Sequence, residues 1–429
     1  LPRIPVGKLD GHDGPVTAVR FVGGGETSTA STSTSTGKKK GYCLTAGHDR
    51  LVKLWNPFRV DPVSVAAAAA SKKSGSNNQR KNKRKRPLDD SEGMNSNTMT
   101  IVQYDDLPSC LEIQTYKLFA HEISAINSCC SSPSSSSSDD TLLAASKNSF
   151  VVADLVTSSI IRRLGSSHHT GRINDVCAYD NATSGSQLYL TASYDATVAI
   201  WDARARNNHQ PIQVLKDATD SVSCILVDGK NGQAIVRTGS IDGIVRTYDV
   251  RKGLLTSDSM GQVSGGGAGG GGVSQSSSMS SQSSPITGMA MTHDGECLVV
   301  NCLDGIIRLM GIDGGELMNT YSGSHVAGSY GLDVTVLASD KTIATGSEDG
   351  KCILYDLVSA RVVQELQGNA VAGSTGTGSV SGSVRRPTCN VASHPRYNSV
   401  LLTASYDNSV VVWSHDNTQW EQQQFEQET

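Results

Sequence analysis

The sequence predicts an all-β fold in which seven similar four-stranded sheets close into a ring, with low-complexity segments let into the connections. Three observations predict it. A pattern, Thr-small-small-x-Asp, recurs along the chain with an aromatic residue six positions after the Asp. Setting aside five compositionally biased segments leaves 302 residues, or 43 for each of seven units. That is the period of a four-stranded propeller blade, about 40–45 residues. Finally, a spare strand-like segment, residues 4–9, precedes the first unit. It is expected to complete the last sheet and so protect an otherwise open edge.

The units follow in order. The first is TAGHD (45–49), with Trp55 in the aromatic place. The second, AASKNSFVVAD (144–154), has Asn148 for Asp and no aromatic. TASYD (191–195) leads to Trp201, and TGSID (238–242) to Tyr248. The fifth, NCLDGIIRLM (301–310), is looser, with Met310 after Asp304. TGSED (345–349) leads to Tyr355, and a second TASYD (403–407) to Trp413. Between Asp and aromatic the residues alternate, as in 195–201, so each unit reads as strand, tight turn, strand. The biased segments are 23–40, 60–111, 131–140, 257–284 and 368–386, and they hold 52 of the 101 Gly and Ser residues. They read as disordered loop insertions, and 416–429 as a polar C-terminal tail, in a single propeller spanning 1–429.

Spacing also predicts a hydrogen-bond network in the blades. His12, Thr45, Asp49 and Trp55 in the first unit have the spacing of such a network, as do His169, Thr191, Asp195 and Trp201 in the third. In such a set the Asp accepts from the His, the His contacts the Thr hydroxyl, and the Thr accepts from the indole N–H. Thr238, Asp242 and Tyr248 fill the same places, as do Thr345, Asp349 and Tyr355, and Thr403, Asp407 and Trp413. Because the constellation recurs around a ring, it reads as structural and not as a nucleophilic triad.

Other chemistry is expected to be absent. The ten cysteines include no Cys-x-x-Cys pair, and the ten histidines form no ligand cluster. The expectation is therefore buried free thiols in a reducing, intracellular setting, with no metal and no cofactor. Gly265, Gly267 and Gly270 match a dinucleotide pattern but lie in a Gly/Ser tract with neither strand nor helix beside them. No apolar run approaches the roughly 18 residues of a membrane helix, and residues 1–20 do not read as a secretory signal.

The repeats and their network resemble the WD-repeat family. Particular stretches are similar to one branch of it, the WD-repeat-containing protein 83 or mitogen-activated protein kinase organizer family. They are YCLTAGHDRLVKLWNP (42–57), SIDGIVRTYDVRKGLLTSD (240–258), HDGECLVVNCLDGIIRL (293–309), GIDGGELMNTY (311–321) and GSEDGKCILYDLV (346–358). The resemblance implies a propeller scaffold without catalytic activity. It also implies assembly of kinase-cascade components and association with the pre-mRNA splicing machinery, in cytoplasm and nucleus. Direct sequence-specific nucleic-acid binding is not expected.

Three further readings concern partners. The residues just before each Asp, namely His48, Tyr194, Ile241, Leu303, Glu348 and Tyr406, are expected to project from one rim, with Tyr194 and Tyr406 as the strongest anchors; the alternative is local packing between loops. A basic run sits in the longest insertion. Lys72, Lys73, Lys83, Arg84, Lys85 and Arg86 form two clusters resembling a bipartite nuclear-import signal, against a net charge of −4 for the whole chain. Non-specific RNA contact or a solvated linker are the alternatives. Trp201, Asp202 and Arg204 resemble the motif by which propeller substrate receptors meet a cullin–RING ubiquitin ligase adaptor, which makes such a receptor the rival function.

Overall fold

The computed structural model describes residues 1–22, 41–62, 104, 107–129, 141–181, 186–205, 210–229, 234–260, 283–312, 314–367 and 386–415. Every named element among them is a strand, and the strands form seven four-stranded sheets. The chain opens with β1 (Ile4–Lys8). Blade 1 follows, with β2 (Val16–Phe21), β3 (Cys43–Gly47), β4 (Val52–Val60) and β5 (Cys110–Tyr116). Blade 2 is β6 (Ala125–Cys129), β7 (Thr141–Ser146), β8 (Ser149–Asp154) and β9 (Ile160–Leu164). Blade 3 is β10 (Ile173–Asn181), β11 (Ser186–Ser193), β12 (Val198–Asp202) and β13 (Gln213–Leu215). Blade 4 is β14 (Val222–Asp228), β15 (Ile235–Ser240), β16 (Ile244–Asp249) and β17 (Gly253–Ser259). Blade 5 is β18 (Ile286–Met291), β19 (Cys297–Cys302), β20 (Ile307–Gly311) and β21 (Leu317–Tyr321). Blade 6 is β22 (Val334–Val336), β23 (Thr342–Gly346), β24 (Lys351–Asp356) and β25 (Val362–Gln367). Blade 7 takes β26 (Thr388–Ser393), β27 (Leu401–Ser405) and β28 (Val410–Ser414), with β1 as its outermost strand.

All pairings within the sheets are antiparallel, and the first strand of each blade adjoins its neighbours around the axis. The middle strands lie between adjacent blades and are covered on both faces. β7 and β27 are buried at every position, so they read as continuous apolar runs and not as alternating ones. The core is accordingly a set of inter-blade layers. One joins Leu44 and Leu54 of blade 1 to Ile126, Leu142 and Val151 of blade 2.

Polar side chains on the inner strands stitch each blade to the next. Thr17 donates to Ile123 O at 2.8 Å, Asn127 to Val176 O at 3.0 Å and Asn174 to Val222 O at 2.8 Å. Ser223 donates to Ile286 O at 2.7 Å, Thr287 to Leu332 O at 3.2 Å and Ser393 to Val336 O at 2.8 Å. Asn390 closes the circle by donating to Thr17 O at 2.6 Å. The outer closure comes from β1, whose Ile4, Pro5, Gly7 and Lys8 pair with Ser414, Trp413, Val412 and Val411 of β28.

The edges of the biased segments differ from the sequence expectation. Val60 ends β4, Cys110 and Leu111 open β5, and residues 257–259 complete β17, all inside spans read as insertions. Ser284 is buried and donates to Asp304 at 2.6 Å. Residues 107–109 pack along β1, with Leu107 in the same layer as Trp413. Composition marks where Gly and Ser accumulate, whereas these flanking residues are held by backbone pairing that composition does not register. Residues 23–40, 63–103, 131–140, 261–282, 368–385 and 416–429, the basic run among them, lie outside the described residues.

Candidate functional site

The turn joining second and third strands is built alike in six blades. The Asp carboxylate accepts the N–H two residues on: Leu51, Thr197, Ile244, Ile306, Lys351 and Ser409 donate at 3.0–3.2 Å. The residue between is left-handed, with φ of 69° at Arg50, 61° at Ala196, 75° at Gly243, 74° at Gly305, 82° at Gly350 and 72° at Asn408. Glycine adopts that conformation freely, while a residue with a Cβ pays about 1–2 kcal/mol.

The residue before each Asp donates its N–H to the loop entering the blade. His48 reaches Pro15 O, Tyr194 reaches Arg172 O and Ile241 reaches Ser221 O, each at 2.8–2.9 Å. Leu303 reaches Pro285 O, Glu348 reaches Val326 O and Tyr406 reaches Pro387 O, at 2.8–3.1 Å. Six Asp turns and six entering loops are thereby fixed on one rim. Blade 2, which has lost its Asp, makes a shorter turn in which Ser146 pairs directly with Ser149 and Lys147 is left-handed at 51°.

Beneath the rim, two blades carry the full network. His12 Nδ1 lies 2.7 Å from Asp49, His12 Nε2 lies 2.7 Å from the Thr45 hydroxyl, and Trp55 Nε1 donates to that hydroxyl at 2.8 Å. In blade 3 the corresponding distances among His169, Asp195, Thr191 and Trp201 are 3.1, 2.8 and 3.1 Å. Burial alone would raise the Asp195 carboxyl, but bonds from Thr197 and His169 outweigh it and hold it at about 2. Burial lowers the His169 imidazole against the pull of Asp195.

Elsewhere the same positions are wired differently. Trp413 still donates to Thr403 at 2.9 Å, but Asp407 serves only its own turn, accepting from Ser409. Asp242 is held by Arg246 at 2.8 and 3.2 Å, and Asp304 by Arg308 at 2.7 and 3.3 Å, so an arginine four residues on stands in for the histidine. Both units carry the same Asp-Gly-Ile-x-Arg sequence, which places that arginine. Thr238 and Tyr248 of the same blade as Asp242 are buried. In blade 6, His325 turns to the Tyr355 hydroxyl at 2.8 Å, Asp349 pairs with Lys351 at 3.8 Å, and Thr345 bonds backbone carbonyls. The spacing of Thr345, Asp349 and Tyr355 therefore does not bring them into one network.

The rim residues divide sharply in exposure. Tyr194 is 68% exposed. Tyr406 is not free in the same way: its ring leans on Tyr330 with centroids 5.5 Å apart. Glu348 is taken up by the Ser329 and Tyr330 N–H groups at 2.6 and 2.9 Å. Ile241 and Leu303 are half-buried. His48 lies 3.5 Å from Glu122, which also faces Arg172 at 4.0 Å, giving a polar row on the rim of Tyr194 that the sequence did not suggest. Deeper in the channel, Arg20 pairs with Asp333 at 2.9 Å. Asp175 is near them, and burial, opposed by Arg20, pushes its carboxyl up to about 6.

Trp201, Asp202 and Arg204 lie at the other end of β12, on the opposite rim. Trp201 is buried, Asp202 accepts the Arg204 N–H at 2.8 Å, and the Arg204 side chain is exposed. Among the described residues no three His, Cys, Asp or Glu side chains gather as a metal site, and no helix is long and apolar enough to cross a membrane. Eight of the cysteines among the described residues stand outside any disulfide, and six of these are buried.

Comparison with known proteins agrees with this architecture. Residues 3–56 and 160–202 match the WD domain, G-beta repeat family. The chain is 26% identical over 284 residues to a WD repeat domain-containing protein 83 homolog of Dictyostelium discoideum, covering 61% of this chain and 74% of that protein. It is 33% identical over 157 residues to WD repeat domain-containing protein 83 of Rattus norvegicus, covering 37% of this chain and 41% of that one. Autophagy-related protein 16 of Arabidopsis thaliana matches at 24% over 200 residues, 46% of this chain and 34% of that protein. The chain is a seven-bladed propeller that carries matches to the WD, G-beta repeat and is similar, at modest identity, to WD repeat domain-containing protein 83.

Proposed function

We propose that this chain is a non-catalytic scaffold that gathers protein partners on the rim of Asp turns. The observation that carries the reading is the rim itself. Six equivalent turns are pinned in place, and one of them presents Tyr194, 68% exposed, on the same rim as His48 and the Glu122 and Arg172 charges. A rigid aromatic on a rim with both signs of charge is the composition of a protein-binding hot spot. The Thr–His–Asp sets supply no rival chemistry, since Thr45 and Thr191 are fully buried and already accept from a tryptophan.

The partners we propose are pre-mRNA splicing factors, components of a mitogen-activated kinase cascade, or both, met in nucleus and cytoplasm. The likeness to WD repeat domain-containing protein 83 supports this assignment, and the basic run supports the nuclear part. Replacing Lys83, Arg84, Lys85 and Arg86 with Ala is expected to move a tagged protein out of the nucleus; unchanged nuclear accumulation would remove the import reading. Affinity purification from nuclear and cytoplasmic fractions, comparing wild type with Tyr194→Ala, tests the scaffold. Loss of particular partners at unchanged thermal stability is the expected result. The ligase-receptor reading draws on the exposed Arg204 and has its own arm: Arg204→Ala would abolish adaptor co-purification if that reading held.

A further inference from the structure

The turn joining second and third strands has a left-handed residue at its crest in every blade, but the residue differs in kind around the ring. In blades 3 to 7 it is Ala196, Gly243, Gly305, Gly350 and Asn408, whereas in blades 1 and 2 it is Arg50, at φ 69°, and Lys147, at φ 51°. Glycine and asparagine suit that conformation, and a long side chain is strained in it. Backbone strain of this kind concentrates at places that use the side chain. Both cations are exposed, and among the described residues neither pairs with a carboxylate. With Asn148 where other blades have Asp, no turn carboxylate offsets Lys147.

Three blades converge on one loop here. The loop entering blade 2 carries His121 and Glu122, both exposed. From the blade 1 turn, His48, two residues before Arg50, lies 3.5 Å from Glu122. From the blade 2 turn, Lys147 Nζ donates to His121 Nε2 at 3.2 Å. From the loop entering blade 3, Arg172 lies 4.0 Å from Glu122, and its carbonyl accepts the Tyr194 N–H at 2.8 Å. In the turns and entering loops of these blades, Arg50, Lys117, Lys147 and Arg172 are exposed against Asp10, Asp13 and Glu122. Asp10 is already paired with Lys8 at 3.4 Å, so the arc carries a surplus of positive charge. On blade 4 the balance reverses, with Asp217 and Asp220 exposed against Lys216.

We infer that this arc receives a phosphorylated serine or threonine in an acidic segment of a partner protein. Lys147 and Arg172 meet the phosphate, and Arg50 favours acidic residues flanking it. A phosphate carries close to two negative charges and three strong acceptor oxygens, so it can engage cations that arrive from separate elements. A single carboxylate offers one charge and two oxygens, and serves the arc less well. Clustered cations on a fixed frame are the usual means of reading such a group. The inference rests on the reading of this rim as a partner surface and adds the chemistry of the partner. It also assigns a use to the crest of blade 2, the one turn that lacks the Asp.

Two peptide libraries, degenerate around a central phosphoserine or a central serine, are selected on the purified full chain. Enriched peptides are then measured by fluorescence anisotropy. Enrichment is expected from the phosphorylated library alone, with acidic flanks. Lys147→Gln and Arg172→Gln should each weaken binding about tenfold or more, the scale of one lost charge-assisted bond. Glu122→Gln, which removes the opposing carboxylate, should strengthen it. Arg50→Gly and Lys147→Gly supply a readout that a merely structural role would not give: each should melt higher as the crest relaxes, yet bind more weakly. Lys341→Gln, exposed at the opposite end of the second strand of blade 6, should change nothing. Equal enrichment from both libraries, affinities unmoved by Lys147→Gln and Arg172→Gln, or an equal loss with Lys341→Gln would overturn the inference. So would an RNA oligonucleotide whose binding Lys147→Gln abolishes while no phosphopeptide is enriched. Selective loss of cellular partners with Tyr194→Ala, with no phosphopeptide enriched, would overturn this inference and leave the scaffold reading standing. Phosphopeptides released by Lys147→Gln would uphold it even if Tyr194→Ala kept every cellular partner.

Discussion

The left-handed residue of the Asp turn is the smallest unit on which the repeat depends. Ala196 sits at φ 61° with a Cβ, so Ala196→Gly is expected to stabilise the protein by about 0.5–1 kcal/mol. Gly305 makes the converse case. Only Ala327 approaches its missing Cβ, at 4.0 Å, so Gly305→Ala isolates the backbone cost and should lower stability by about 1 kcal/mol. Urea unfolding of both variants checks the pair, and equal shifts of one sign would refute the turn argument. A second residue sets a pH dependence. His394 is buried, its Nδ1 accepts the Arg396 and Tyr397 N–H groups, and burial lowers its imidazole to about 4 from the ordinary 6.5. Between those values the unfolded chain binds a proton that the folded chain refuses. Stability present above pH 6.5 is therefore lost as pH falls toward 4, by about 3 kcal/mol. His394→Asn keeps an acceptor for both N–H groups and should flatten that slope. Asp175 works in the opposite sense: raised to about 6, it takes up its proton first in the folded state and adds stability as pH falls toward 4. Asp175→Asn should thus steepen the acid loss that His394→Asn relieves.

At the scale of the strand pair, the same motif carries different weight in different blades. Thr191→Val leaves His169 Nε2 and Trp201 Nε1 without their shared partner in a buried site, a loss of about 1–3 kcal/mol. Thr345→Val removes only longer bonds to carbonyls at 3.2 and 3.3 Å and should cost less, about 1 kcal/mol. Thermal unfolding of the two variants decides whether the ranking holds. The strands themselves were legible because Asp and aromatic stand six apart with a turn between them. What the sequence did not disclose was which acceptor each Asp would meet, because histidine and arginine arrive from different places. His12 comes from the entering loop, whereas Arg246 comes from the third strand of the same blade. The packing of Tyr406 on Tyr330 was equally hidden, since those residues are separated by a whole blade's entry and meet only when the rim is assembled.

For the whole molecule, closure is the property that the repeat count implied and that pairing of β1 with β28 supplies. Removing residues 1–10 should lower the melting temperature in one cooperative step, because every blade leans on the next through an inner-strand bond. Gly7→Ala tests the seam more gently. It pushes the Cys110 sulfur away from β1 and should destabilise by about 1–3 kcal/mol. The low-complexity composition that obscured the repeats belongs to segments let into a closed ring, although their edges are more ordered than composition suggests. The reading of that ring as a scaffold is tested most directly by quantitative affinity purification of wild type and Tyr194→Ala from nuclear and cytoplasmic fractions. We expect splicing or kinase-cascade proteins with the wild type, and selective loss of a subset with a variant that melts at the same temperature. Retention of every partner by that variant, or recovery of ligase subunits alone and their loss with Arg204→Ala, would contradict the proposal.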